Sequence, residues 1–216
     1  MRVIKGSGDP LIEKATRVLK HSAQNLYMAI ADVYVPFPDL TIILCLLSGR
    51  RIGEVLSGQV RVQEGKTSMS VVFQENPATK PIGIPLLCPA KDFIEGIKAL
   101  LKLQPDKMSR REVNQKYHNI IGNRLRETMS FVDSEYEINP NDLRFLYGFL
   151  AYEKYDYQAI GIEYREFLSW VFNMGDRLVT LPGNPITIGG KLKRIPASKR
   201  ESPPKKWLLR VENRKK

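Results

Sequence analysis

The chain has 216 residues, 43% of them hydrophobic and 26% charged, with a formal net charge of +11. That length and apolar content support an ample core in one large domain or two small ones, and exclude a chain too polar to fold. No apolar run approaches a membrane span and the N-terminus lacks a signal peptide's apolar segment, so no membrane partner is expected. The expected location is intracellular, either cytoplasmic and nucleoid-associated or nuclear, and not secreted. Cys45 and Cys88 lie in apolar surroundings and read as buried free thiols. With only His21 and His118 besides, scattered widely, no structural zinc site is expected and no cofactor is implied. The positive charge is uneven: Lys191 to Lys216 holds 11 Lys and Arg against 2 Glu. A core over 1–190 followed by a basic, flexible tail over 191–216 is therefore expected, and a polyphosphate partner fits it.

In chain order, a first helix is predicted from Leu11 to about Leu19. Ser22 would cap a second, carrying Leu26, Ala29, Ile30 and Val33. Pro36 and Pro38 would end it, and Asp39 would cap an apolar helix leading to Ser48. The run Leu40 to Leu47 can only be buried, so Arg50 and Arg51 emerge at the end of a core segment after Ser48-Gly49. Ile52, Val55 and Leu56 resume helical spacing, and Glu54 lies three residues past Arg51, within reach of its guanidinium. A planar fork held in this way suits a phosphate.

Three short strands follow, Val60 to Gln63, Ser68 to Phe73 and Ile82 to Leu87, with turns at Gly65-Lys66 and Asn76 to Pro81. Pro89 to Leu103 returns to helix, with Phe93, Ile97, Leu100 and Leu101 as a buried stripe. Ser109 and Glu112 form a capping box for a helix with Val113, Tyr117, Ile120 and Ile121 on one side. Arg110, Arg111, Lys116, Arg124 and Arg126 decorate the rest, a face able to track a DNA backbone. In Asn139-Pro-Asn-Asp-Leu-Arg-Phe-Leu-Tyr-Gly148, Asn141 or Asp142 would cap a helix with Arg144 in its first turn. Backbone N–H groups and a guanidinium there converge on a nearby anion.

Two of these stretches carry a family resemblance. Gly-Arg-Arg-Ile-Gly-Glu-Val resembles the first-arginine motif of tyrosine recombinases, and the double arginine after Ser-Gly is most similar to the telomere resolvases. Leu-Arg-Phe-Leu-Tyr-Gly resembles their second-arginine motif. The resemblance, over about Ser22 to Gly175, implies a mainly α fold with a small antiparallel three-stranded sheet (α+β), the tyrosine-recombinase/integrase catalytic-domain fold. It implies Arg51 as the first phosphate-binding arginine with Glu54 as its support, and Arg144 as the second. The Phe73 to Lys80 segment resembles the turn whose lysine reaches the scissile phosphate, so Lys80 is the expected lysine and Lys66 the runner-up. Asn141 takes the place of a histidine; it can donate to phosphate but cannot shuttle a proton at neutral pH.

The resemblance breaks at the third motif. Met174-Gly175-Asp176 stands where an apolar-Gly-His turn is expected, putting an anion at Asp176 in place of a donor, and no tyrosine follows Tyr164. Thr187 is a poor substitute nucleophile, and Tyr152, Tyr155, Tyr157 and Tyr164 are spaced for packing. The leading expectation is thus a double-stranded-DNA-binding pseudoenzyme with a partial active site of Arg51, Lys80 and Arg144. Arg50, Asn141, Lys116, Arg124 and the tail residues Lys193, Arg194, Lys205 and Lys206 would add DNA contacts, with self-association on DNA allowed. The alternatives are an active breaking-and-rejoining enzyme with an atypical or partner-supplied nucleophile, and an RNA-binding or assembly protein.

Overall fold

The computed structural model describes residues 10–57, 61–74, 81–103, 108–129 and 140–172. Its first element corrects an expectation: one helix, α1 (Pro10–Ile30), replaces the two predicted. Ser22 is not a cap but lies inside α1, 3% exposed, in line with Val18, Leu26 and Ala29. Those residues recur at the period of one uninterrupted helical face, on which a serine is tolerated. Pro36 and Pro38 open the next helix rather than close the last. Pro36 is the N-cap of α2 (Phe37–Ser48) and Pro38 sits in its first turn, where a missing N–H has no helical acceptor to lose. Asp39 likewise lies in that first turn and is not the cap.

Helix α2 is the axis of the molecule. Every residue from Leu40 to Ser48 is buried. Helix α1 packs around it together with α4 (Ala90–Leu103), α5 (Arg110–Met129) and α6 (Asp142–Tyr155). A helix apolar on all sides is stable only when so surrounded. It stops at Gly49, a left-handed C-cap with φ 65°, whose N–H donates to the Cys45 carbonyl at 2.8 Å. Glycine fits twice over, because a Cβ here would come within 2.3 Å of the Tyr147 ring. Arg50 and Arg51 follow, then the single turn α3 (Ile52–Val55).

The sheet is antiparallel in the order β1 (Arg61–Glu64), β2 (Ser70–Gln74), β3 (Ile82–Pro85). Val71, Phe73 and Ile84 face the core, the period-two pattern of a half-buried sheet. Beyond β3 the backbone is tied to both neighbours: Leu86 N–H donates to Met69 O at 2.7 Å and Leu87 N–H to Leu47 O at 3.0 Å.

Phe93, Ile97 and Leu100 form the buried stripe of α4. The capping box of α5 is present, with Ser109 N–H donating to Glu112 Oε2 at 2.7 Å and Glu112 N–H to Ser109 Oγ at 3.4 Å. Its buried residues are Val113, Tyr117, Ile121 and Leu125; Ile120, expected beside them, is 49% exposed. The stripe advances by fours, so Ile120 falls about 100° off it. After α6 come a 3-10 turn (Gln158–Ile160) and α7 (Tyr164–Val171). Tyr152, Tyr157, Tyr164, Phe167 and Trp170 make one aromatic cluster between α6 and α7. The tyrosines there are packing residues, as their spacing predicts. Cys45 and Cys88 are both buried free thiols, and among the described residues no helix is long and apolar enough to cross a membrane.

Candidate functional site

The two arginine motifs meet at the end of α2. Arg144, third residue of α6, is 6% exposed. Its Nε donates to Gly49 O at 3.1 Å, 95 positions earlier, and its Nη2 lies 3.5 Å from Phe172 O. The Phe172 ring lies against the same guanidinium, 4.4 Å from Cζ to ring centroid, a cation–π contact strengthened by burial. The sequence reading missed Phe172; an aromatic at the end of an amphipathic helix looks like ordinary core until the arginine is placed beside it.

The double arginine divides its labour. Arg51 is exposed at the N-cap of α3. Glu54 is 9% exposed and its Oε2 accepts from the Arg51 backbone N–H at 2.8 Å. Glu54 thus meets the main chain of Arg51, through the carboxylate that closes the α3 turn. Arg50 points the other way. It is 3% exposed, its Nη2 donates to Val171 O at the end of α7, and Phe73 of β2 lies 6.0 Å from its Cζ. Its place in the interior sets it apart from the surface DNA contact expected of it.

Cys45 lies within the fields of three of these charges. Burial dominates in pushing its thiol far up, the Glu54 carboxylate adds to this, and the Arg144 and Arg50 guanidinia pull the other way. Glu54, Arg50 and Arg144 therefore surround one buried point just before the α2 terminus.

Side chains of α6 fix the adjoining strand exit. Tyr147 and Tyr155 donate to Pro85 O and Leu86 O, and Lys154 Nζ to Leu87 O at 2.8 Å. Burial raises both phenols well above their ordinary range and lowers the Lys154 ammonium. Tyr157 and Tyr164 are raised for the same first reason. Phenols held protonated among aromatic rings are poor nucleophiles.

The other expected contacts are dispersed. Asn141 is exposed at the N-cap of α6. Lys116 is exposed on α5, with Nζ 5.1 Å from the Tyr117 ring centroid. Arg124 is held by Asp39 in a two-pronged pair, Nε to Oδ1 at 2.7 Å and Nη2 to Oδ2 at 2.9 Å, with Glu127 at 3.2 Å. Its charge is engaged in joining α5 to α2. Lys66 is exposed on the β1–β2 turn. Lys80, Asp176, Thr187 and Lys193, Arg194, Lys205 and Lys206 lie outside the described residues, as does the boundary at 190.

Comparison with known proteins adds a family to this geometry. The family described as the telomere resolvase ResT/TelK catalytic domain matches residues 3–177, a longer span than the motifs alone suggested. No curated protein matches the chain. Among solved structures, protelomerase tela covalently complexed with substrate DNA is similar with a TM-score of 0.58 at 19% identity, over 72% of this chain and 52% of that one. A protelomerase tela mutant complexed with DNA hairpin product gives 0.59 at 20% identity, over 73% and 53%. The chain thus spans about half the length of the solved proteins it resembles, and at this identity the likeness establishes the fold.

Proposed function

The chain belongs to the telomere resolvase ResT/TelK catalytic-domain family, and on that footing we propose that it binds duplex DNA by gripping a backbone phosphate with Arg51 and Arg144. The observation that carries this reading is the Arg144 Nε bond to Gly49 O, two residues before Arg51. That bond brings the second arginine to the turn that presents the first. Arg144 sits in the first turn of α6, and Arg51, the N-cap of α3, is exposed. Two guanidinia and the positive end of α6 favour an oxyanion over water. Lys80, between β2 and β3 in the sequence, is the proposed third cation, and the basic stretch from Lys191 the proposed wrap along the duplex.

In this reading the grip is non-covalent. Tyr147, Tyr155, Tyr157 and Tyr164, on α6, α7 and the link between them, are packed and held protonated, and no tyrosine stands between Tyr164 and Lys216. The two arginines stabilise charge on a phosphate, but strand cleavage also needs a nucleophile. The second reading is an active breaking-and-rejoining enzyme whose nucleophile comes from elsewhere. It is favoured by the covalent DNA complexes described for protelomerase tela.

A nicked suicide duplex separates the two. Incubation followed by denaturing electrophoresis is expected to leave no protein–DNA adduct, while the same duplex is retarded in a native gel with a steep salt dependence. A covalent adduct establishes the second reading. Failure to bind duplex DNA at low salt defeats both.

A further inference from the structure

Arg50 sits oddly beside the grip proposed above. It is 3% exposed, yet its Nε is buried without a hydrogen-bond partner, and its guanidinium is met by Val171 O and the Phe73 ring. Among the described residues no carboxylate pairs with it. Burying a cation on such terms is costly, and an apolar side chain of similar volume fills the space more cheaply. Packing alone gives no reason for a charge here.

The neighbouring guanidinium turns the same way. Arg50 takes Val171 O and Arg144 lies against Phe172 O, so both address the last carbonyls of α7. A helix C-terminus offers roughly half an elementary negative charge, and the buried Glu54 carboxylate beside the α2 terminus adds a whole one. Arg50 is thus one positive charge in a mixed buried cluster whose fields salt screens poorly. Its own contribution favours an anion bound just outside, at Arg51 and Arg144.

We propose that Arg50 is a positioning residue of the phosphate grip: it ties the last turn of α7 to the α2–α3 turn and sets a buried positive charge behind Arg144, while touching no phosphate itself. The proposal rests on the DNA-binding reading. A contacting arginine releases a counterion on binding and a buried one does not, so the two leave different marks on the salt dependence.

The test uses the full chain with Trp207→Phe, leaving Trp170, next to Val171, as the sole tryptophan. In this background Arg50→Met is expected to unfold at the same or higher urea concentration and to shift the Trp170 emission. Duplex affinity at fixed salt is expected to fall about tenfold, the size of an indirect coupling, with the slope of log K against log salt unchanged. Arg51→Ala, by contrast, lowers that slope by about one. Arg50→Lys, which keeps the charge on a different head, is expected to recover part of the affinity. Wild-type affinity in Arg50→Met overturns the proposal, as does a slope reduced by about one, which marks direct contact. An unchanged Trp170 emission overturns the tie to α7. An Arg50→Met chain that fails to fold overturns the argument from burial cost. If the parent binds no duplex at all, the DNA reading fails with it, and the Trp170 shift alone decides the structural half.

Discussion

Arg144 and Gly49 are joined by one hydrogen bond, 3.1 Å from Nε to the carbonyl oxygen across 95 positions of chain. The acceptor is the last carbonyl before the double arginine, so the bond fixes the two arginine motifs against each other. Arg144→Ala leaves that buried carbonyl without this donor, and a loss of about 1–3 kcal/mol in urea unfolding is expected. Arg51→Ala, at an exposed position, is expected to cost under about 0.5 kcal/mol of stability. Both should weaken duplex binding. If they share a phosphate, the double variant loses less affinity than the two single losses combined, by at least about 0.5 kcal/mol in a double-mutant cycle. Full additivity places the two on separate phosphates.

Gly49→Ala tests the turn itself. The substitution must hold φ near 65° with a Cβ pressed to 2.3 Å from the Tyr147 ring. Strain and displacement together are expected to cost about 2–4 kcal/mol, read as a lower urea midpoint at unchanged m-value. Relief by Tyr147→Ala in the same chain would identify the ring as the obstacle.

The fold and its core were largely legible in the sequence because they rest on periodicity. The all-apolar stretch before Ser48, the stripe of α4, the capping box at Ser109 and the three strands all emerge within a few residues of where the pattern puts them. Errors came where a local signal had two meanings. Ser22 reads as a cap in isolation but as one position of a continuous face in α1, and Pro36 with Pro38 can close a helix or open one. The opposed directions of Arg50 and Arg51 were not legible. Adjacent residues in a turn diverge according to backbone angles set by Gly49 and by the distant α7, and neither leaves a trace in the local sequence.

Arg124 belongs to the fold more than to any DNA contact, by the geometry of its pair with Asp39. Arg124→Ala is expected to lower stability by no more than about 1 kcal/mol, since the pair is partly exposed. Duplex affinity at moderate salt should change by less than about twofold. A fall in the salt-dependence slope by about one would instead make Arg124 a phosphate ligand.

Alkaline pH should unfold the protein. Burial holds Tyr147, Tyr155, Tyr157 and Tyr164 protonated above their ordinary value. Between the unfolded and folded pKa values the unfolded chain binds fewer protons than the folded one, so the phenols' contribution is full below about pH 10 and is lost as pH rises beyond it. The two raised thiols begin the loss earlier, from about pH 8.5. Lys154 runs the other way, because burial lowers its pKa, but it is one group against these four phenols and two thiols. Tyrosinate absorbance for these four should therefore appear together with loss of far-ultraviolet ellipticity. Their ionisation near pH 10 on an intact fold would contradict the burial seen here.

The two thiols give an independent measure of the same core. Burial raises Cys88 to about 12 and Cys45 further still. Reaction with a thiol reagent at neutral pH is expected to proceed only as the chain opens, with both groups modified at rates that track urea concentration. A fast native-state reaction at either would mean that a face of α2, or the connection from β3 to α4, is open to solvent.

Because α2 is enclosed from Leu40 to Ser48 and carries the arginine turn at its tip, it behaves as a stiff piston. A methyl group removed near Leu44 or Leu46, remote from any ligand, can let the rod settle and carry the turn with it. Lesions deep in this interior should therefore present as loss of grip at temperatures where the protein is still folded, and a screen for weakened binders will return buried leucines alongside surface arginines.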